Sequence, residues 1–464
     1  MRLAADSGTW NLLYALDLFA IGLFLVSYYR QCYRKGYRID FWHVQLFLAC
    51  ILPNMLMLPF AKSELNGIVL GKDLWPVIDV LPTVFLITLL GYCAVLAGSG
   101  LWRLQLGIGL RKTATRVMEI VPRSSMMLMS SKAVLLFQAM LCVLLQTLIL
   151  SLYFSASGFG FDLRSYTFAN PTLRPVALIA SNYSIIIASH CFARYAEKRE
   201  RILLACTLLL TFGLLFFGAR ANLLGVYLGV LLCYLVKLRG RISLLRIGSV
   251  VVVIAAMGFY LGRLREGEYS LIAFVGSLAF LLFYGSNFSD LRDFAWVYAG
   301  WDHVFWSGKT YLAAILAFVP RFASQFRDTW GLGVATDLTA GLDPQLHPGL
   351  RPGMFGEGFF NFGLFGVLTV GLIVGVIVRR VDIDVKRALA TTHPSMMKAF
   401  ASSMLLSIAG CVALSNNSSG LYVLIAAYLF SWFCLCVQRM LQPLQVASGE
   451  VKSSFLQSVA SRDA

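Results

Sequence analysis

Glu357, followed by the polar residue Asn361, is the residue of this sequence best placed for acid–base chemistry. They lie four residues apart in a glycine-rich stretch that opens an apolar run, and residues at that spacing share one face of a helix. A carboxylate in apolar surroundings is costly without a partner. Glu357 is therefore either a helix N-terminal group stabilised by the helix dipole, or a general base or an orienter of hydroxyl groups.

A second candidate is the short segment Gly218-Ala219-Arg220-Ala221-Asn222, which lies between two apolar runs. A guanidinium group in this position either extends to lipid headgroups as an anchor or binds a buried anion. The small neighbours of Arg220 would let a phosphate approach the backbone closely. Both interpretations stay open.

The third candidate is the long polar segment 263–356, which combines arginines with aromatic residues. Indole rings stack on sugars, and guanidinium groups bind phosphate oxygens in pairs. The alternative is an aromatic belt at a membrane interface with charged headgroup contacts. The residues that we select as substrate-binding candidates are Arg292, Arg321, Arg327, Arg351 and Trp301, with Asp290 beside them.

The elements that must position these residues are membrane helices. The chain has 464 residues, of which 58% are hydrophobic and 13% charged, with a mean hydropathy of +0.74. Soluble domains are roughly 25% charged, so we expect an all-α polytopic membrane bundle. Eleven apolar segments approach the roughly 20 residues needed to span hydrocarbon, and the count has a range of 10 to 12. They are 11–29, 42–60, 74–98, 131–157, 174–193, 202–218, 221–237, 244–262, 357–378, 397–414 and 419–438.

The distribution of positive charge predicts the orientation of the bundle. With an external N-terminus and a cytoplasmic C-terminus, the cytoplasmic segments hold 26 of the 39 Lys and Arg residues. Of the remaining 13, seven lie in the loop 263–356, whose length exempts it from the positive-inside rule. We therefore predict one integral membrane domain over 1–464, with 263–356 as a long external loop containing short helices.

Several kinds of chemistry have no support in the sequence. None of the ten cysteines lies in the external loop, which argues against a disulfide framework. The five histidines are far apart, so no metal site is predicted. Phosphate-binding glycine loops are missing as well, and we expect no cofactor. The net charge of +16 reflects cytoplasmic loops rather than nucleic-acid binding.

Four motifs together resemble the bacterial Wzy-type oligosaccharide repeat-unit polymerases, most nearly the broad family that includes the enterobacterial common antigen polymerase. The resemblance covers roughly residues 200–370, and beyond them it rests on hydropathy alone. The motifs are GARAN at Gly218–Asn222, FSDLRDF at Phe288–Phe294, FVPR at Phe318–Arg321 and GEGFFNFGLFG at Gly356–Gly366.

This resemblance implies an enzyme of the bacterial inner membrane that works at its periplasmic face. It would transfer a growing glycan from one undecaprenyl-pyrophosphate carrier to the end of a new lipid-linked repeat unit. Cations must stabilise the negative charge that develops on the pyrophosphate, and the acceptor hydroxyl must lose a proton. Arg220, Arg292 and Arg321 are the candidates for the first task, and Glu357 or Asp290 for the second. Further substrate contacts would come from Asn222, Asn361, Trp301, Arg327 and Arg351.

The partners implied are the lipid-linked oligosaccharide, the bilayer, a chain-length regulator and a flippase. Two other functions remain open. An O-antigen ligase would use the same lipid donor and an external histidine, either His303 or His347. A lipid-linked oligosaccharide flippase would need charged groups inside its spans along the whole bundle. Asp17 and Asp79 fall within predicted spans, where we expect carboxylates paired in the core rather than relay groups.

The charge distribution makes a direct prediction about topology. We expect reporter fusions after Arg30, Lys198 and Arg387 to be cytoplasmic, and fusions near Asn170 and Ala340 to be external, because positively charged short loops stay inside. Paired phosphatase and fluorescent-protein fusions measure this. A cytoplasmic signal at Ala340 would overturn both the orientation and the external placement of the candidate residues.

Overall fold

The computed structural model describes residues 6–64, 75–101, 108–158, 172–217, 220–238, 288–319, 323–344 and 349–460, with short pieces of the segments between them. These residues are almost entirely helical. The exception is one hairpin, in which β1 (Ile68–Val69) pairs antiparallel with β2 (Lys72–Asp73). The predicted all-α class is confirmed.

The described residues form 18 α-helices. In chain order they are α1 (Ser7–Lys35), α2 (Phe41–Leu46), α3 (Leu58–Glu64), α4 (Trp75–Ile78), α5 (Leu81–Leu101), α6 (Ile108–Ser130), α7 (Lys132–Ser157), α8 (Leu173–Lys198), α9 (Arg201–Phe216), α10 (Arg220–Leu238), α11 (Asp290–Gly300), α12 (Lys309–Ile315), α13 (Gln325–Trp330), α14 (Leu332–Thr339), α15 (Gly353–Leu389), α16 (Met396–Ser403), α17 (Leu406–Ala413) and α18 (Ser418–Ala460). A π-helix, Phe47–Leu56, joins α2 to α3. A 3-10 turn, Ser415–Asn417, precedes α18.

Among the described residues, eight helical segments are long and apolar enough to cross a membrane. They are Ser7–Arg34, Phe41–Lys62, Leu81–Leu101, Lys132–Ser157, Leu173–Lys198, Gly353–Leu389, Met396–Ala413 and Ser415–Gln438. Each corresponds to one predicted span, so the chain is a helical membrane protein. The predicted spans 202–218 and 221–237 correspond to shorter apolar helices, and 244–262 lies mostly outside the described residues. The total of eleven spans stays a prediction.

Helix α6 lies between the predicted spans 74–98 and 131–157, where hydropathy predicts only a connection. Its positive charges lower the mean hydropathy of the segment below that of a membrane span. One face of the helix nevertheless packs into the bundle. Arg194 of α8 donates to the backbone carbonyls of Met129 and Ser130, at 2.6 and 3.0 Å. The same guanidinium pairs with both oxygens of Glu200, which fixes the end of α6 to the turn between α8 and α9.

The tightest helix packing in the described bundle joins α5 to α15 through small residues. A Cβ atom added at Gly375 would lie 2.2 Å from the carbonyl oxygen of Val95, and one at Gly98 would lie 2.3 Å from that of Leu372. One turn before Gly375, Gly371 packs against Ala94 in the same way. Small residues four apart let two backbones approach closely in a membrane.

Helix α15 reverses direction near its beginning. Phe362 and Gly363 have non-helical backbone angles, and Gly363 has a φ of 63°, which a glycine adopts without strain. A Cβ on Gly366 would lie 2.0 Å from the carbonyl oxygen of Gly358, whereas residues eight apart in a straight helix are separated by about 12 Å. Residues 353–361 therefore form a short helix folded back on the long helix 364–389.

This reversal corrects the predicted span 357–378. Glu357 lies on the short helix, which precedes the long helix of α15. The carbonyl groups at the end of the short helix are satisfied from outside it. The N–H groups of Trp306 and Ser307 donate to Phe360 and Asn361, at 2.8 and 3.1 Å.

The α5–α15 contact leaves no room for a side chain at Gly375. We expect Gly375→Ala to lower stability by about 1–3 kcal/mol, because the added methyl group meets backbone rather than a mobile side chain. In α1, a Cβ at Gly22 meets nothing within 4 Å, so Gly22→Ala is the matched control and should be neutral or stabilising. Thermal unfolding in detergent measures both. Equal melting temperatures for the two variants would contradict this packing.

Candidate functional site

Glu357 joins three separate elements of the bundle. The residue is fully buried, at 0% exposure. Its Oε1 atom accepts a hydrogen bond from the Thr310 hydroxyl of α12 at 2.7 Å. Its Oε2 atom accepts from the backbone N–H of Ser415 at 2.8 Å. The carboxyl group therefore connects the short helix 353–361 to α12 and to the turn before α18.

Asn361 extends this network. Its Nδ2 atom donates to the Glu357 carbonyl at 2.9 Å and to the Thr310 hydroxyl at 2.8 Å, so the predicted placement of the two residues one turn apart on one face is confirmed. Within the described residues, the buried Oδ1 atom of Asn361 and the buried hydroxyl of Tyr311 have no hydrogen-bond partner. One buried acceptor and one buried hydroxyl thus keep unused hydrogen-bonding capacity next to Glu357.

An apolar cleft of about 470 Å³ lies next to this network. Tyr311 and Ser415 line the cleft and also adjoin the polar network. Its walls come from α12, from the start of the long helix of α15, from α17 and from α18. The apolar lining includes Ile315, Phe362, Phe365, Ile408 and Leu421.

Asp293 organises a second polar cluster at the start of α11. Its Oδ1 atom accepts from Nε and Nη2 of Arg292, at 2.9 and 2.8 Å. Its Oδ2 atom accepts from the hydroxyl of Ser289 at 2.8 Å and from the backbone N–H of Arg351 at 3.1 Å. Arg292 is buried, and two of its N–H groups are bound to Asp293 in this ion pair.

Asp290 lies beside the same cluster and packs against Gly353 at the start of the short helix. A Cβ at Gly353 would lie 3.1 Å from Oδ2 of Asp290. Burial raises the pKa of Asp290 to about 7; the charge of Asp293 adds to the rise and that of Arg351 opposes it. The Arg351 side chain is exposed. Asp290 therefore contacts the beginning of the nine-residue helix that carries Glu357.

Trp301 lies in an aromatic cluster. It is 7% exposed, and its ring centroid is 5.0 Å from that of His303, 5.2 Å from Phe305 and 5.4 Å from Phe359. Its indole N–H donates to the carbonyl of Val304. Of these neighbours, His303 and Phe305 are exposed, so they form the accessible surface of the cluster.

Two further loop residues form a pair that the sequence did not predict. Nδ1 of His347 lies 2.7 Å from Oδ1 of Asp337, and the histidine side chain is 20% exposed while the aspartate is buried. The backbone N–H of Leu350 also donates to Asp337. Burial raises the pKa of Asp337, and the hydrogen bond to His347 opposes the rise.

The other candidate residues are distributed as follows. Arg327 donates from Nη1 to the carbonyl of Val319. Arg220 begins α10, but its side chain and that of Asn222 lie outside the described residues, as does Arg321.

The expected pairing of Asp17 and Asp79 is wrong. The buried Oδ1 atom of Asp17 has no hydrogen-bond partner among the described residues, because it lies on the one stripe of α1 that packs into the apolar core. Asp79 is exposed in the turn between α4 and α5 and not inside a span, because the apolar run that contains it is broken at this turn.

The network around Glu357 could be predicted only in part. Thr310 is separated from Glu357 by 47 residues and Ser415 by 58, and a hydroxyl or a backbone N–H carries no distinctive sequence signal. In the described part of the chain, no three His, Cys, Asp or Glu residues group as metal ligands would.

Comparison with known proteins gives no relative. The chain matches no protein-family model, no characterised protein and no solved structure.

The environment of Asp290 makes stability depend on pH. Because its pKa is raised in the folded state, folding takes up a proton between about pH 4 and pH 7, so this residue lowers stability as pH rises through that range. We expect Asp290→Asn to gain stability relative to wild type, by at most about 4 kcal/mol at pH 8 and by less at pH 5. Thermal unfolding of both proteins at the two pH values measures this.

The control for this experiment is Asp302→Asn, since Asp302 is exposed and accepts only from the backbone N–H of Val304 among the described residues. An asparagine oxygen accepts the same bond. If Asp290→Asn and Asp302→Asn change stability equally at both pH values, the raised pKa of Asp290 is refuted.

Proposed function

We propose that this protein is a polymerase that joins oligosaccharide repeat units carried on undecaprenyl pyrophosphate, at the periplasmic face of a bacterial inner membrane. In this proposal the N-terminus is periplasmic and the C-terminus cytoplasmic. The observation that carries it is the buried Glu357 network beside an apolar cleft of about 470 Å³. A substrate with sugar hydroxyls at one end and an isoprenoid chain at the other needs polar groups for the sugar and an apolar cleft for the chain, close to each other.

Glu357 has the hydrogen-bonding capacity that a general base requires. An ionised carboxylate offers about four acceptor positions, and Thr310 and Ser415 occupy one on each oxygen. The remaining positions can take the proton of an acceptor hydroxyl. The free Oδ1 of Asn361 and the hydroxyl of Tyr311 can orient the sugar that carries it. Asp290 is the second candidate, since a pKa near 7 suits a base at neutral pH.

Departure of the pyrophosphate requires cations near the external surface. Arg351 fits this role, because its side chain is exposed and close enough to Asp290 to affect its pKa. Arg292 would act from within its pair with Asp293. Arg220, Arg321 and Asn222 keep the roles that the resemblance implies, as part of the proposal. His303 and Phe305 would form an aromatic surface on which sugars stack, and Trp301 would support that surface from beneath.

A second candidate function, an O-antigen ligase, is favoured by the His347–Asp337 pair. A partly exposed histidine held by a buried carboxylate has the arrangement of an oriented general base. The ligase would use the same lipid donor but transfer the finished chain to a different acceptor.

A deletion strain separates the two functions. If the chain is the polymerase, its loss should leave a single repeat unit on the surface polysaccharide and no long chains. If it is the ligase, long chains should form and stay on the lipid carrier. Normal polysaccharide in the deletion strain would refute both.

The base assignment is tested by Glu357→Gln. The glutamine can keep both contacts, with its oxygen toward the Ser415 N–H and its amide toward the Thr310 hydroxyl, so the bundle should still fold. We expect the rate of polymerisation to fall by about 10²–10⁴-fold, the usual loss on removal of a general base. The rate is measured with purified protein and purified lipid-linked repeat units.

The matched control is Glu119→Gln, on the opposite side in the predicted topology, where Glu119 pairs only with Arg123 among the described residues. It should polymerise at the wild-type rate. Near-normal polymerisation by Glu357→Gln would leave Glu357 with a purely structural role and move the base to Asp290.

A further inference from the structure

Far from the Glu357 network, Ser27, His43 and Asp40 form a hydrogen-bonded chain where α1 meets α2. The Ser27 hydroxyl lies 3.1 Å from Nε2 of His43. Nδ1 of His43 lies 3.0 Å from each oxygen of Asp40. This is the order of atoms in a Ser-His-Asp hydrolase triad. In the predicted topology these residues lie at the cytoplasmic ends of the first two spans.

The surroundings fix the histidine in the tautomer that a base needs. Because the Asp40 carboxylate accepts from Nδ1–H, Nε2 keeps a free lone pair toward Ser27. Phe24 and Tyr28 contact the imidazole ring edge to face, with centroids 5.9 and 5.6 Å away, and so hold its orientation. His43 and Asp40 are buried, whereas Ser27 is exposed.

Asp40 is kept ionised by its neighbours. Burial alone would raise its pKa, but the hydrogen bond with His43 and the charge of Lys386 bring the pKa below its ordinary value. Nζ of Lys386 lies 3.3 Å from Oδ2 of Asp40 and 2.8 Å from Asp382. A negative Asp40 can therefore stabilise an imidazolium formed on His43.

The surface of α1 next to Ser27 combines apolar and cationic groups. Arg30 and Arg34 follow Ser27 by three and seven residues, and therefore lie one and two turns along the same side of the helix. They border a depression whose other walls are Leu25, Val26, Tyr29 and Tyr33. Backbone N–H groups in the middle of a helix are already bonded, so a guanidinium group must stabilise any oxyanion formed at Ser27.

We propose that Ser27, His43 and Asp40 form a second catalytic site, a serine esterase for membrane lipids whose acyl ester lies beside an anionic phosphate. The Ser27 oxygen attacks the ester carbonyl while its proton passes to Nε2 of His43. The bond to the alcohol breaks, and the alcohol leaves with that proton. Water then attacks the acyl-serine, gives a proton to His43 and releases the carboxylic acid as the serine regains its proton. The apolar wall takes the acyl chain, and Arg30 and Arg34 take the phosphate and the oxyanion.

The test uses the purified full-length protein in detergent with a fluorescent fluorophosphonate, and with p-nitrophenyl octanoate as substrate. We expect a covalent adduct on Ser27, located by peptide mass spectrometry. Ser27→Ala should abolish the adduct and the ester hydrolysis, and His43→Gln should slow both by about 10²-fold or more.

The matched control is Ser151→Ala, an exposed serine in the middle of α7 whose hydroxyl donates to the carbonyl of Leu148; it should react like wild type. Because His43→Gln could disturb the contact between α1 and α2, Ser27→Cys provides a second readout. With His43 as its base, the thiol introduced by Ser27→Cys should be alkylated by iodoacetamide at least about tenfold faster than the thiol introduced by Ser151→Cys.

An adduct elsewhere than Ser27, labelling of His43→Gln at the wild-type rate, or equal alkylation of the two introduced thiols would each refute the esterase. This site does not depend on the proposed polymerase. Ser27→Ala should leave polymer length unchanged, so the two proposals fail separately.

Discussion

The backbone contact between α5 and α15 is the constraint on which the site depends. Glycine at 98, 371 and 375 lets the two helices approach without intervening side chains, and this fixes where the long part of α15 begins. The ring of Phe355 fills the space that a side chain at Gly91 would need, since a Cβ there would lie 2.3 Å from that ring. The short helix 353–361 is thereby held against α5, with Glu357 and Asn361 on another of its faces.

Once this short helix is placed, the Glu357 carboxyl group has a structural task, and the proposed function gives it a second one that competes with the first. It holds α12 and the turn at Ser415 to the helix, which in apolar surroundings is worth more than a surface hydrogen bond. It must also be able to accept a proton if it is a base. The buried Oδ1 of Asn361 and hydroxyl of Tyr311, which lack partners among the described residues, leave hydrogen-bonding capacity beside the carboxyl group, where most buried polar groups are paired.

The sequence was sufficient to predict the membrane class and most helices, because a run of about 20 apolar residues is typical of a membrane-spanning helix. It was also sufficient for the Glu357–Asn361 pair, which depends only on helical spacing. It failed where structure depends on distant residues. The reversal at Gly363 depends on N–H donors from Trp306 and Ser307, and the end of α6 is held by Arg194 of α8. Neither contact leaves a periodic signal.

The short helix also connects the two carboxylate positions mechanically. Asp290 packs on Gly353 at its beginning, and Thr310 and Ser415 bind Glu357 one turn later. Asp290 itself belongs to α11, so the short helix lies between that carboxylate at its beginning and the partners of Glu357 on α12 and at Ser415. Glu357 is fully buried, whereas Asp290 is partly buried and the Arg351 side chain is exposed. The Asp290 cluster is therefore the more accessible of the two carboxylate positions, and any group that reaches Glu357 must first pass between the elements that its carboxyl group holds together.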